Sequence, residues 1–336
     1  MRTSLEALLA TGKVALADGA TGTNYFHMGL EAGEPPELWN IDHPERVQEL
    51  HRAFVEAGAD IILTNTFGGN RHRLKLHHAE GRVFELNKRA AELAREVADE
   101  VSRPVVVAGS VGPTGELFAP LGALTDADAL EVFSEQITGL AAGGADVAWI
   151  ETMSAPEEIR AAARAAIAVG ISYTATGSFD TAGRTMMGLH PSDFAGVFAG
   201  LDPQPLAFGA NCGVGASDIL VTLLAMGEDD GEARLISKGN CGVPHFQGAE
   251  IVYSGSPTLM AEYARLAVNS GAAIVGGCCG TSPEHLRAMR DALDSHVAAP
   301  PPTPEQIVER IGPLANSMPE TLAAQSARGR ERRRSR

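Results

Sequence analysis

"AAIVGGCCGTSPEHL", residues 272–286, reads as one complete structural unit. An apolar run stops at two glycines, two adjacent cysteines follow, and Ser282 with Pro283 opens a helix. A strand this continuously apolar is one covered on both faces. The same unit recurs upstream as "VALADGA" (14–20), "ADIILTNTF" (59–67), "PVVVAGSVGP" (104–113), "ADVAWIETM" (145–153), "SYTATGSFD" (172–180), "PLAFGANC" (205–212) and "ARLISKGN" (233–240). Each run is followed by a polar or glycine-containing turn and then by a helix-period segment. "HPERVQELHRAFVEAG", "VFELNKRAAELAREVADEV", "DADALEVFSEQITGLAAGG", "APEEIRAAARAAIAVG" and "SPTLMAEYARLAVNSG" place apolar residues three and four apart and carry glycine at or near their ends. Eight alternating units predict a parallel sheet covered by helices and closed on itself, an α/β fold of the (β/α)8 TIM barrel type. The turn after the first strand, "DGATGTN", is not the glycine fingerprint of an open nucleotide-binding sheet, and no phosphate-binding G-x-x-x-x-G-K-[ST] occurs.

The barrel is expected over residues 1–296 as a single domain. From 297 the pattern breaks into "VAAPPPTPEQ", so 297–336 is read as a C-terminal extension, wrapping or partly disordered, whose end "RGRERRRSR" is a solvated arginine-rich tail. A hydrophobic content of 44% with mixed charge predicts a soluble globular protein, and a formal charge of −15 argues against nucleic acid as a partner. No apolar stretch is long enough for a membrane helix and the N-terminus lacks a secretory pattern, which makes the cytoplasm the expected compartment. Four cysteines in 336 residues do not make a disulfide framework.

Barrel chemistry lies at the carboxyl ends of the strands, and these ends carry Asp18, Asn65, Ser110, Glu151, Asp180, Asn211, Cys212, Asn240, Cys241, Cys278 and Cys279. Two neighbouring cysteines cannot both reach one ion from inside a regular strand, because successive side chains point to opposite faces. Beyond the strand end they can, and Gly276, Gly277 and Gly280 relax the backbone there. With Cys212 arriving from the sixth strand, three sulfurs and one open coordination position describe a catalytic zinc site. Cys241 is read as a buried or rim thiol and His245 as a solvated loop residue.

The motifs "DGATGT", "TNTFGGN", "GSVGPTGE", "ETMSAPEE", "SFDTAGRTMMG", "FGANCGVG" and "GGCCGT" resemble those of the zinc-dependent homocysteine S-methyltransferases. That family includes betaine–homocysteine methyltransferase and the homocysteine module of cobalamin-dependent methionine synthase. The resemblance spans residues 14 to 295. It implies Zn2+ as cofactor held by Cys212, Cys278 and Cys279, with the homocysteine sulfur in the fourth place, attacking a methyl donor to form methionine. It also implies that Asp18 and Glu151 bind the substrate ammonium and that Asn211, with Ser110 on the same rim, makes polar contacts.

Trp39 matches the tryptophan that betaine enzymes use for the donor, whereas Gly68 and Thr152 stand where the betaine-type pattern carries tyrosines. "TNTF", "AGRTMMG" and "GNCGVP" are closer to the cobalamin-linked module. The implied partners are therefore homocysteine and either a small onium donor such as glycine betaine or a methylcobalamin carried by a separate corrinoid protein; homo-oligomerisation is left open. The competing expectation is a non-catalytic barrel in which Cys241 completes a four-cysteine structural zinc site or a redox sensor.

Overall fold

The computed structural model describes residues 2–227, 234–242, 244–247 and 250–316. Its strands are β1 (Ala15–Leu16), β2 (Ile61–Leu63), β3 (Val106–Val111), β4 (Val147–Met153), β5 (Tyr173–Gly177), β6 (Phe208–Cys212), β7 (Leu235–Gly239), a hairpin of β8 (Pro244–Gln247) with β9 (Glu250–Tyr253), and β10 (Ala272–Gly277). Apart from the hairpin they form one sheet in the order β1-β10-β7-β6-β5-β4-β3-β2. The circle closes between β1 and β2. Ala17 bridges Ile61, and the N–H groups of Asp60 and Asp18 donate to the carbonyls of Leu16 and Ile61 at 2.7 and 3.0 Å. The expected (β/α)8 TIM barrel is the fold.

Alternation along each strand sorts the core into two populations. Ala15, Ala17, Ile61, Leu63, Val106, Ala108, Val147, Trp149, Ile236 and Ile274 fill the barrel interior, joined by Leu5 and Leu9 of the helix Leu5–Leu9. The opposite faces pack against the surrounding helices, where Phe54, Leu93, Phe133, Ile159, Leu220 and Tyr263 are buried. Burying a side chain of this size contributes about 1.5–3 kcal/mol each, so the interleaved apolar faces account for the fold without any disulfide; all four cysteines are free.

The predicted helices form at Pro44–Glu56, Val83–Asp99, Asp126–Ala142, Pro156–Val169 and Pro257–Asn269. Thr125 and Ser256 cap two of them by accepting from the N–H groups of Asp128 and Leu259. Gly170, at φ +82°, ends a third. Ser282 starts Pro283–Asp294 as expected, its N–H donating to His285 Nδ1 at 3.2 Å.

One unit departs from the expected pattern. After β5 there is no α-helix, only the 3-10 turns Pro191–Asp193 and Ala195–Phe198. In "GLHPSDFAGVFAGLDP" glycines and prolines interrupt every would-be turn, and Phe194 and Phe198 cover β5 and β6 instead, with ring centroids 6.1 and 5.9 Å from Phe208. The β8–β9 hairpin was not anticipated either.

The described part of the extension, 297–316, wraps the barrel. Its helix Pro304–Arg310 buries Ile307, and Ala315 and Asn316 donate backbone N–H groups to the Asp218 carboxylate at 3.0 and 2.8 Å. The arginine-rich end, 328–336, and the His245 side chain lie outside the described residues.

Candidate metal and substrate site

Cys212 is the last residue of β6, and Cys278 and Cys279 follow the end of β10. Their Sγ atoms all lie within 4.8 Å of one another, with Cys212 and Cys279 3.9 Å apart. Tetrahedral zinc with ~2.3 Å Zn–S bonds places its sulfurs ~3.8 Å apart, so the residues fit that ion. No fourth residue joins them among the described residues. Cys241 is fully buried, its sulfur 2.6 Å from where a side chain on Gly255 would begin, which leaves a structural four-cysteine centre unsupported.

The backbone is bent to make this cluster. Cys212 has φ +62°, a left-handed conformation that costs a non-glycine residue. Thr152, opposite it on β4, has φ +61°. The Asn211 amide joins the two strained places: its Oδ1 accepts from Thr152 N–H at 2.8 Å and from Thr176 Oγ1 at 2.6 Å, while its Nδ2 donates to Thr152 Oγ1 at 2.8 Å and reaches Cys278 Sγ at 3.9 Å.

Asn240 does the same between the two cysteine loops, accepting from Cys279 N–H at 3.0 Å and donating to Gly213 O at 2.8 Å. Beneath it, Tyr263 Oη accepts the Gly239 N–H at 2.9 Å, and Gly239 O accepts Cys278 N–H at 2.8 Å. Gly280, at φ +78°, is required because a Cβ there would lie 2.4 Å from the Tyr253 ring.

Packed thiols oppose one another's ionisation. Interaction with the neighbouring Cys278 thiol is the main influence holding the Cys212 thiol above its ordinary range, and the hydrogen bond with Cys212 pushes Cys279 up to about 11. Three adjacent thiolates need a cation; a divalent ion removes their mutual repulsion and takes the place of the protons.

Below the sulfurs the inward face of the barrel turns polar. Ser110, Glu151 and Lys238 each lie two residues beyond the apolar interior positions Ala108, Trp149 and Ile236. Lys238 Nζ donates to Asp18 Oδ1 at 2.8 Å, and Asp18 Oδ2 accepts Leu63 N–H at 2.7 Å. Ser110 Oγ donates to Glu151 Oε1 at 2.5 Å. Burial opposes the charge on Lys238, yet Asp18 and Glu151 outweigh it and hold the ammonium above the ordinary lysine value. Burial likewise lifts the Glu151 carboxyl above its usual range.

The structure thus gathers Asp18, Ser110, Glu151, Asn211 and the three cysteines at one mouth. Trp39 makes none of the contacts that link them. It is buried, 5.2 Å from the Tyr25 ring, with the Arg46 guanidinium 4.9 Å over its own. Asp180 is exposed and, among the described residues, bonds only Ser178 and Thr181. Asn240 was placed on the rim by the sequence but given no role there, and Lys238, Tyr253 and Tyr263 escaped the sequence reading. Only Lys238 left a signal there, as a lone cation inside an apolar strand.

The homocysteine S-methyltransferase family profile matches residues 15–293. The methionine synthase of Mycobacterium leprae (strain TN) is 30% identical over 302 residues, 84% of this chain but 24% of the relative, so this chain spans about a quarter of that protein's length. The fold is shared with the homocysteine methyltransferase MmuM of Escherichia coli. Its oxidized form matches with a TM-score of 0.72 at 24% identity over 85% of this chain and 98% of that one. Its metallated form matches with 0.71 at 24% over 85% and 99%. With the profile match covering nearly the whole barrel, the chain belongs to the homocysteine S-methyltransferase family of enzymes.

Proposed function

We propose that this chain is a zinc-dependent homocysteine S-methyltransferase that forms methionine, with Cys212, Cys278 and Cys279 as the metal ligands. The observation that carries the reading is the meeting of these three sulfurs, within 4.8 Å, above a buried polar floor. Bound zinc would supply a Lewis acid that lowers the proton affinity of a thiol while three thiolate ligands keep that sulfur electron-rich.

The chain's own residues do the rest. Asn211 and Asn240 fix the directions of the cysteines, and Glu151, steadied by Ser110, offers a carboxylate to the substrate ammonium. Seating the amino-acid head on the floor points its two-carbon thiol arm back toward the sulfur cluster. The homocysteine sulfur forms the new S–CH3 bond as the bond between methyl and donor breaks. The donor's leaving group departs with that electron pair as a neutral amine, a thioether or a reduced corrinoid.

Donors of two classes fit this chemistry, a methylated onium compound such as glycine betaine and a methyl-corrinoid protein. The test is zinc-loaded protein with homocysteine and, in turn, glycine betaine, a dimethylsulfonium compound, S-methylmethionine and methylcobalamin, reading methionine. Methionine from at least one donor, abolished by chelation and restored by zinc, is the expected result. No methionine from any of them, or turnover that survives exhaustive chelation, overturns the reading.

A further inference from the structure

We propose that Lys238 divides the two buried carboxylates of the floor between structure and recognition, tying up Asp18 and leaving Glu151 as the sole acceptor for the substrate ammonium. This rests on the homocysteine reading above and sharpens it.

The hydrogen-bond inventory carries the argument. Asp18 is 1% exposed, and each of its carboxylate oxygens already has a donor, Lys238 Nζ at 2.8 Å and Leu63 N–H at 2.7 Å. Its main-chain oxygen accepts from Lys238 as well, at 3.2 Å, and from Gly277 N–H at 3.0 Å. Glu151 is 8% exposed, and among the described residues the one hydrogen bond it accepts, from Ser110, goes to Oε1. Its other oxygen remains for a ligand.

Lys238 is held where it is. It is 2% exposed, its stem lies against Gly276, where a Cβ would sit 3.0 Å from Lys238 Cγ, and its ammonium is 5.9 Å over the Trp149 ring. Two carboxylates and one ammonium leave the floor with one net negative charge. One α-ammonium completes it, whereas a second acceptor would demand a second cation.

The test compares homocysteine with 4-mercaptobutanoate, the same thiol acid without the amine, by calorimetric binding to zinc-loaded protein; the ratio of the two dissociation constants isolates the ammonium. Hydrogen bonds to charged groups translate into a ratio of roughly tenfold to a hundredfold. Glu151→Gln is expected to collapse it. Asp18→Asn weakens both thiols alike and keeps the ratio. In a Lys238→Met background, where Asp18 is released, Asp18→Asn then lowers the ratio about tenfold. Lys238→Gln serves the same purpose if the methionine variant does not fold, and Lys238→Arg should restore the wild-type pattern.

The proposal is overturned if Asp18→Asn lowers the ratio equally in both backgrounds, or if Glu151→Gln leaves it intact. Zinc content is measured in every variant. The two readings fail separately: wild-type protein that keeps the ratio but makes no methionine refutes the reaction alone, and wild-type protein that makes methionine but shows no Lys238–Asp18 coupling refutes only the assignment of Lys238.

Discussion

At the scale of single residues, the three cysteines and Cys241 carry the sharpest contrast. A serine hydroxyl is a poor substitute for a thiolate on a soft ion, so Cys278→Ser or Cys279→Ser should abolish stoichiometric zinc, read by metal analysis of purified protein. Cys241→Ala should keep full zinc, because that sulfur is packed against Gly255 and not among the cluster. Asn240 braces the cysteine loops without belonging to the cluster, through Cys279 N–H and Gly213 O. Removing such a supporting group typically costs 10–100-fold in metal affinity. Asn240→Ala should therefore lower zinc affinity by roughly that factor in a chelator competition, with the far-UV spectrum unchanged. The doubled cysteine was legible in the sequence because adjacency at a strand end has few structural uses. Lys238 was overlooked because a lysine within a strand ordinarily reads as a side chain reaching to water. Closure of the barrel puts it inside, beside Asp18, a residue 220 positions away.

Elements were legible where both faces of a strand are buried, since a continuous apolar run between turn signals leaves little else to form. β1 shows the limit of that reading: "VALADGA" yields only Ala15–Leu16 as regular strand. Gly19 must pass so close to the Thr281 carbonyl that a Cβ would sit 2.6 Å from it, and the ladder ends there. The β8–β9 hairpin was hidden for another reason. Its four-residue strands lie between β7 and the next helix, where the barrel rule anticipates only a loop. Elements also hold the site in place, and Tyr263 of the helix Pro257–Asn269 is the clearest link. Its hydroxyl, 2.6 Å from Ser237 Oγ, accepts the Gly239 N–H, one residue beyond Lys238 and one before Asn240. Tyr263→Phe leaves that buried N–H without a partner, at a cost of about 1–3 kcal/mol. The expected outcome is a lower melting temperature together with faster amide exchange at Gly239, and a change in melting alone would mean that the hydroxyl does not hold the strand end.

Across the whole molecule, stability depends on groups remote from the mouth. His51 is 2% exposed in the helix Pro44–Glu56, its Nε2 has no partner among the described residues, and burial lowers its pKa from 6.5 to about 4. The unfolded chain takes up that proton below the ordinary value and the folded chain does not. Stability therefore falls as pH drops from 6.5 toward 4, by up to about 3 kcal/mol, and this contribution levels off below. His51→Leu should flatten that part of the denaturation profile.

The extension ties distant parts of the barrel together, and one carboxylate anchors it. Asp218 accepts both backbone donors of Ala315 and Asn316, the Asn316 amide accepts from Ala182 N–H at 3.2 Å, and Ser217 Oγ donates to Gly312 O at 2.8 Å. Residues 217 and 218 begin the helix Ala216–Met226, which follows the Cys212 turn directly, and Ala182 lies in the loop after β5. The strap thus fastens two rim loops from outside the barrel. Asp218→Ala removes the acceptor of two amides at once, at about 1–3 kcal/mol, so melting should drop by a few degrees. Proteolysis should appear between 297 and 316 while zinc stoichiometry is retained, because the cysteines are fixed by Asn211 and Asn240 and not by the strap. Loss of zinc in that variant would instead place the extension among the supports of the metal site.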